Sequence, residues 1–143
     1  MTFAPPTTAQ IVITGVAKPH IVAVVVTRLH FAHVTVDCHD ADRLVAFWRP
    51  LIGSDREPVR QGLFVYMAWE GPGSLCFQEV PEAKMVKNRE HLDFTVADLE
   101  AATAMVLELG GQLIREVTEG DDSWRVFGDP EGNEFCIAEV PGP

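Results

Sequence analysis

The sequence predicts an α+β protein built from two βαβββ modules, because two segments of the chain recur in the same order with nearly the same spacing. The segment 75–80 matches 135–140 without a gap, and both copies carry cysteine, glutamate and valine at the same places. The segment 33–36 likewise matches 91–94, and both copies begin with histidine. This internal duplication predicts modules at about residues 29–80 and 88–140.

The strand that opens each module alternates polar with apolar side chains. The two copies read His33-Val34-Thr35-Val36-Asp37 and His91-Leu92-Asp93-Phe94-Thr95. Successive side chains on a strand point to opposite faces of the sheet. Each opening strand therefore presents one apolar face and one polar face.

A helix follows each opening strand, with Asp40 and Asp98 as candidate N-caps. Pro50 and the pair Gly110-Gly111 are expected to end the two helices. Each helix carries apolar residues on the stripe that should face its sheet. These residues are Leu44, Phe47, Trp48, Val106 and Leu107.

Short strands complete each module after its helix. Turn signals stand at Gly71-Pro72-Gly73 and at Asp129-Pro130-Glu131-Gly132-Asn133. One helix covers only the apolar face of a sheet, so the polar face of each module stays available. Two modules joined edge to edge would enclose a cavity with these polar faces.

The composition argues against several classes of partner. The 143 residues include 11 Lys and Arg against 21 Asp and Glu, a formal net charge of -10. Such a chain repels nucleic-acid phosphates and anionic lipids, so we expect neither nucleic acid nor membrane as a partner. The three cysteines cannot all pair with one another and form no CxxC motif, which favours a cytoplasmic location.

Residues 1–28 precede the duplicated pattern, and two interpretations of them stay open. They form either an extra hairpin, from Ile11–Thr14 and Ile21–Thr27, or a leader that the domain at 29–143 does not require. The apolar stretch Ile21–Val26 is far shorter than the roughly 20 residues of a membrane-spanning helix. Met1–Gln10 carries no charge, so we expect no secretory signal.

Three short sequence motifs indicate which family the chain resembles. They are Leu75-Cys76-Phe77-Gln78 with Val80-Pro81, Val86-Lys87-Asn88-Arg89 with His91-Leu92-Asp93, and Asp129-Pro130-Glu131-Gly132-Asn133-Glu134-Phe135-Cys136. With them, residues 29–140 resemble the vicinal oxygen chelate superfamily of glyoxalases, bleomycin-resistance proteins and extradiol dioxygenases, most closely its small bacterial glyoxalase-like domain proteins. The resemblance implies that the paired modules form a curved, half-open mixed sheet around a ligand cavity. Half-open sheets leave strand edges uncovered, so we expect a homodimer.

The resemblance also implies positions for a metal site. Metal-dependent members carry a His or Gln on the first strand of each module and a Glu on the last strand of each. His33 and His91 stand at the first-strand positions, whereas Cys76 and Cys136 replace both glutamates. Two histidines and two cysteines would suit zinc or another divalent transition metal. The interpretation that we favour is that the cysteines pack as small apolar residues and that no cofactor is bound.

Neighbouring polar residues extend this set. Gln78 shares a face with Cys76, since strand side chains repeat every two residues, and is a candidate ligand. Glu79 and Glu139 lie three residues beyond the cysteines, so we expect them on the opposite face.

Asp93 is the candidate catalytic residue. It lies two residues from His91 on the same face, where it would orient His91, act as a general base or bind a donor on the ligand. The other interpretation is a salt bridge to Lys87 or Arg89.

Two function hypotheses follow, and a third stays open. The first is a small-molecule-binding domain without standard glyoxalase I metal chemistry; the alternative is a divalent-metal-dependent lyase, isomerase or dioxygenase. The third is an interaction domain that kept the fold and lost the site. The duplication predicts that the two first-strand histidines meet at the floor of one cavity, within a chain or across a dimer. The side chains expected to bind the small organic ligand are His33, His91, Gln78, Tyr66 and Trp124.

Overall fold

A computed structural model describes residue 29 and the ranges 31–69 and 73–140. The chain divides into two units, residues 1–31 and residues 32–143, and all described helices and strands belong to the second. The leader or hairpin expected at 1–28 lies outside the described residues, as does most of the turn signal at 71–73. Within the described ranges, no helix combines the length and the hydropathy needed to cross a membrane.

The second unit contains the same run of elements twice. The first module consists of β1 (Val34–Cys38), α1 (Ala41–Leu51), β2 (Val59–Gln61), β3 (Phe64–Ala68) and β4 (Ser74–Glu79). The second module consists of β5 (Leu92–Val96), α2 (Leu99–Glu108), β6 (Gln112–Glu119), β7 (Asp122–Gly128) and β8 (Glu134–Glu139).

Each module folds into a four-stranded mixed sheet. The strand orders are β1-β4-β3-β2 and β5-β8-β7-β6, and only the pairs β1/β4 and β5/β8 are parallel. Thr35 lies opposite Cys76 in the first sheet, as Asp93 lies opposite Cys136 in the second. The predicted α+β class and the predicted duplication are both confirmed.

Both helices begin at the predicted caps. The side chain of Asp40 accepts a hydrogen bond from the backbone N–H of Arg43 at 2.9 Å, and that of Asp98 accepts one from Ala101 at 2.8 Å. The first helix continues one residue beyond Pro50, to Leu51. Proline removes one backbone donor, but here it stands in the last turn, where few further helical bonds depend on it.

Helix α1 packs against both sheets and joins their cores. The ring of Phe47 lies 6.0 Å from that of Phe135 on β8. The ring of Trp48 lies 4.7 Å from Phe135 and 5.7 Å from Phe94 on β5. Trp48 is therefore a core residue, as its place on the helix predicts.

Helix α2 buries a different stripe from the expected one. Leu99, Thr103 and Val106 face the core, and Leu107 is 49% exposed. The prediction for Leu107 was wrong because the buried positions follow an i, i+4, i+7 pattern, and a residue one step further along points about 100° away.

The turn between β7 and β8 fastens the second module to α1. Asp129 accepts hydrogen bonds from the backbone N–H groups of Glu131 and Asn133, both at 2.9 Å, and from Nε1 of Trp48 at 3.4 Å. The carboxylate of Glu131 accepts from the backbone N–H groups of His39 and Asp40 at 2.6 and 2.7 Å. A carboxylate of one module thus binds the free N–H groups at the N-terminus of the other module's helix.

Candidate functional site

The polar face of the first sheet gathers Thr35, Tyr66 and Cys76. Both hydroxyl groups hydrogen-bond the Cys76 sulfur; burial raises the pKa of this thiol and the two hydroxyls oppose the rise. The ring of His33 packs edge-on against Tyr66, with 5.4 Å between the ring centres. The histidine and the cysteine of the first module are therefore both neighbours of Tyr66.

Gln78 lies on the same face as Cys76, opposite Asp37 and Phe64. Glu79 lies on the helix side, where its Oε1 accepts a hydrogen bond from the backbone N–H of Ala41 at 3.4 Å. The expectation that Glu79 turns away from the cysteine is confirmed.

The polar face of the second sheet gathers His91, Asp93 and Cys136. One donor atom of each residue lies within 4.8 Å of the other two, and Nε2 of His91 is 3.3 Å from Oδ1 of Asp93. His91 and Asp93 are exposed, whereas Cys136 is only 8% exposed. Burial, followed by the hydrogen bond to Asp93 and its charge, raises the pKa of Cys136 from 9.0 to about 11.

Two cations flank this cluster. Arg115 lies opposite Val126, which lies opposite Cys136, so Arg115 shares the face of the cysteine two strands away. The charges of Arg115 and Lys87 both oppose the rise in the pKa of Cys136. The carboxylate of Asp93 lies beside the imidazole of His91. Within the described residues, no salt bridge joins Asp93 to Lys87 or Arg89.

A cavity of about 780 Å³ opens beside β1. Its wall combines β1, the linker residues 82–88, the start of β5 and the turn residues Asp129, Glu131 and Asn133. Of the five expected ligand-binding side chains, His91 lines this cavity; the described wall does not include His33, Tyr66, Gln78 or Trp124.

Sequence reasoning did not find Arg115 as a neighbour of the site. The register of β6 against β7 shifts between Leu113 and Arg115, so counting along the strand does not give the face on which Arg115 lies. Asp93 was found because it stands two residues from His91 on an alternating strand.

A sequence model of the glyoxalase-like domain family matches residues 33–138, which include both modules. The chain belongs to this family. It is thereby a member of the vicinal oxygen chelate superfamily, in agreement with the resemblance of its motifs. A search of curated proteins gives no significant match.

Solved structures with the same fold include several glyoxalase-related proteins. One is a glyoxalase/bleomycin resistance protein/dioxygenase family enzyme from Burkholderia phytofirmans PsJN, with 20% identity, a TM-score of 0.62 and coverage of 76% of this chain and 97% of that chain. Another is a lactoylglutathione lyase from Agrobacterium tumefaciens, with 16% identity, a TM-score of 0.56 and coverage of 79% and 95%.

A third is a variant of the fosfomycin resistance protein FosX from Listeria monocytogenes, in complex with Mn(II) and dihydroxypropylphosphonic acid. It has 17% identity, a TM-score of 0.65 and coverage of 78% of this chain and 90% of that chain. At such identities the likeness establishes the fold alone.

Two of the four positions that hold the metal in metal-dependent relatives carry a different residue type in this glyoxalase-like domain. Both glutamate positions carry cysteine, and the sulfur of Cys76 is hydrogen-bonded by two hydroxyls of its own module. Among the described residues, the one group of three or more potential metal donors is His91, Asp93 and Cys136.

Proposed function

We propose that this glyoxalase-like domain binds a small organic molecule in the cavity of about 780 Å³ and lacks standard glyoxalase I metal chemistry. The observation that carries the proposal is the cavity itself, whose volume falls within the range of about 300–1,000 Å³ typical of small-molecule sites. Its wall draws on both modules, as the duplication predicts for a ligand cavity.

The lining favours a ligand with an apolar body and a polar end. Val34, Val36 and Met85 supply apolar surface, and His91 and Lys87 supply polar groups. The Oδ1 atom of Asn88 is buried on this wall without a hydrogen-bond partner. A donor on the ligand would satisfy that oxygen, which otherwise costs about 1–3 kcal/mol.

A screen of small aromatic and amphipathic compounds tests this proposal, with the rise in melting temperature as readout and calorimetry to measure affinity. For a compound that binds, we expect His91→Ala to weaken affinity by about 1–3 kcal/mol, which is the cost of one lost buried partner. The matched control is His33→Ala, which removes the duplicated histidine that does not line the cavity.

The two variants separate three outcomes. Loss of affinity in His91→Ala alone supports the cavity as the binding site. Loss in His33→Ala alone would move the ligand to the face around Tyr66 and contradict the proposal. Unchanged affinity in both variants would contradict it as well.

A divalent-metal-dependent lyase, isomerase or dioxygenase is the second candidate. It is favoured by the cluster of His91, Asp93 and Cys136, whose donor atoms lie within 4.8 Å of one another. A divalent ion would supply Lewis-acid chemistry there. Elemental analysis of the purified protein, together with activity assays before and after chelation, tests this candidate; a metal-free protein with unchanged activity would exclude it.

A further inference from the structure

The donor set of the second module carries an inference of its own. We propose that this module alone binds one zinc ion, held by Nε2 of His91, the carboxylate of Asp93 and Sγ of Cys136, and that the remaining coordination position faces an anionic oxygen ligand. The proposal does not depend on the cavity binding a ligand. It also differs from the four-ligand arrangement, because it takes all three ligands from one module.

The spacing of the donor atoms suits a tetrahedral ion. Two nitrogen or oxygen donors at about 2.0 Å from a tetrahedral zinc are about 3.3 Å apart. Nε2 of His91 and Oδ1 of Asp93 are 3.3 Å apart, and the sulfur of Cys136 lies within 4.8 Å of both side chains. Imidazole, carboxylate and thiolate are the three protein donors that zinc accepts.

The first module lacks the carboxylate of this donor set, so only the second module carries the proposed site. Thr35 stands where the second module has Asp93, and Tyr66 stands where it has Val126. The hydroxyls of Thr35 and Tyr66 bind the Cys76 sulfur, and no carboxylate replaces them. Among the described residues, the first module contains no comparable donor group.

Three protein ligands leave one tetrahedral position open, as in catalytic zinc sites. His91 and Asp93 are exposed, so this position is reached from solvent. The carboxylate and the thiolate together balance the charge of the ion, because Cys136 gives up its proton to solvent when the metal binds. The charges of Arg115 and Lys87 then remain to attract an anion.

The location of His91 connects the proposed ion to the cavity. His91 and Lys87 both line the cavity of about 780 Å³. A carboxylate or phosphate group bound at the open position can therefore belong to a molecule whose apolar part lies in that cavity.

Cobalt substitution tests the proposal on the full-length protein. Metal-free protein is titrated first with zinc and then with Co(II), and the stoichiometry is measured after equilibrium dialysis. We expect one ion per chain and a thiolate-to-cobalt charge-transfer band in the near ultraviolet. Cys136→Ser should abolish that band, while Cys76→Ser, the duplicated cysteine, should retain it.

Paired variants assign the other two ligands. Asp93→Asn and His91→Ala should weaken zinc binding at least tenfold, whereas Thr35→Ala and His33→Ala should leave it unchanged. Circular dichroism establishes that each variant is folded. Equal losses in His33→Ala and His91→Ala would indicate an inter-module site and overturn the proposal, as would a charge-transfer band that survives in Cys136→Ser.

Inorganic phosphate is the probe for the open position. Phosphate should change the visible spectrum of the cobalt-loaded protein, and Arg115→Gln should weaken this effect about tenfold through loss of a charge-assisted bond. The matched control is Arg43→Gln on the exposed face of α1. A cobalt spectrum that does not change with phosphate would contradict the proposal that one coordination position is open. Protein that binds no zinc but still binds compounds in the cavity overturns this inference and leaves the proposed binding function standing.

Discussion

Asp129 is the one buried carboxylate in the described part of the chain, with 2% of its surface exposed. Burial raises the pKa of Asp129, although hydrogen bonds from Asn133, Glu131 and Trp48 oppose the rise. Nearby ionisable groups include Glu131, in the same turn, and Cys38, whose thiol pKa is raised by burial and by surrounding carboxylates that include Asp129. Asp129 therefore holds the turn in place at a cost in desolvation.

The desolvation of Asp129 predicts how the free energy of unfolding changes with pH. Because the folded-state pKa of Asp129 is raised from 3.8, the folded chain binds more protons at this group than the unfolded chain does between the two pKa values. Its contribution to the free energy of unfolding is most favourable at pH below 3.8 and declines as the pH rises through the folded pKa.

Urea denaturation of the wild type and of Asp129→Asn across this pH range measures the effect. As the pH rises, the unfolding free energy of the wild type should fall relative to that of Asp129→Asn. The difference between the two proteins should then level off. A difference that shifts in favour of the wild type would mean that hydrogen bonding outweighs desolvation at Asp129.

Gly111 lies where α1, α2 and β7 approach one another closely. A Cβ atom at this position would lie 2.8 Å from Cε2 of Phe47 and from Cγ1 of Val106, and 3.0 Å from the carbonyl oxygen of Gly128. Phe47 is buried against Phe135, so its ring has little room to move. Glycine is therefore required here by packing between α1, α2 and β7.

We expect Gly111→Ala to lower the free energy of unfolding by about 1–3 kcal/mol, as overpacking in a core does. The measurement is a double-mutant cycle with Phe47→Leu, since shortening that side chain opens space for the added methyl group. Additive effects of the two substitutions would show that the ring of Phe47 is not what opposes the methyl group.

Elements whose pattern is local were predictable from the sequence. The alternation in 33–37 and 91–95 gave both opening strands, and Asp40 and Asp98 gave both helix starts. Elements that depend on distant partners were not predictable. Leu107 belongs to an apolar stretch of sequence, but packing buries its neighbour Val106 instead. The register shift between Leu113 and Arg115 has no signal in the neighbouring sequence.

For the whole molecule, the duplication predicted the two-module architecture but not which side chains cluster at the candidate site. The repeat places a histidine and a cysteine on the polar face of each module. How the modules combine depends on Phe47 and Trp48 reaching Phe135, which no spacing in the sequence encodes. The structure accordingly groups His91 with Asp93 and Cys136, while His33 packs on Tyr66.

The division of the chain leads to a prediction about residues 1–26. The buried apolar residues of the described chain run from Cys38 to Ile137, and residues 32–143 form a unit of their own. A chain that begins at Thr27 should therefore unfold cooperatively, with a melting temperature close to that of the full chain. Differential scanning calorimetry measures this, and loss of the cooperative transition would show that the removed residues belong to the core.

The free edges of the sheets lead to the last prediction. Strands β1 and β5 each pair with a neighbour on one side only, and strand edges of this kind attract further pairing unless something covers them. Beside β5 lies an apolar groove of about 310 Å³, lined in part by Leu51, Ile52 and Met105. A two-fold related copy would cover an edge and such a groove with the same patch on both subunits.

We therefore expect a homodimer at micromolar concentration. Sedimentation velocity over a range of concentrations measures the state, and Met105→Lys should favour the monomer if the groove lies in the interface, because it would place a charge in a desolvated contact. A monomer throughout the micromolar range would contradict the prediction. A dimer that is unaffected by Met105→Lys would place the contact at another edge. The control is Glu108→Lys, at an exposed position of the same helix.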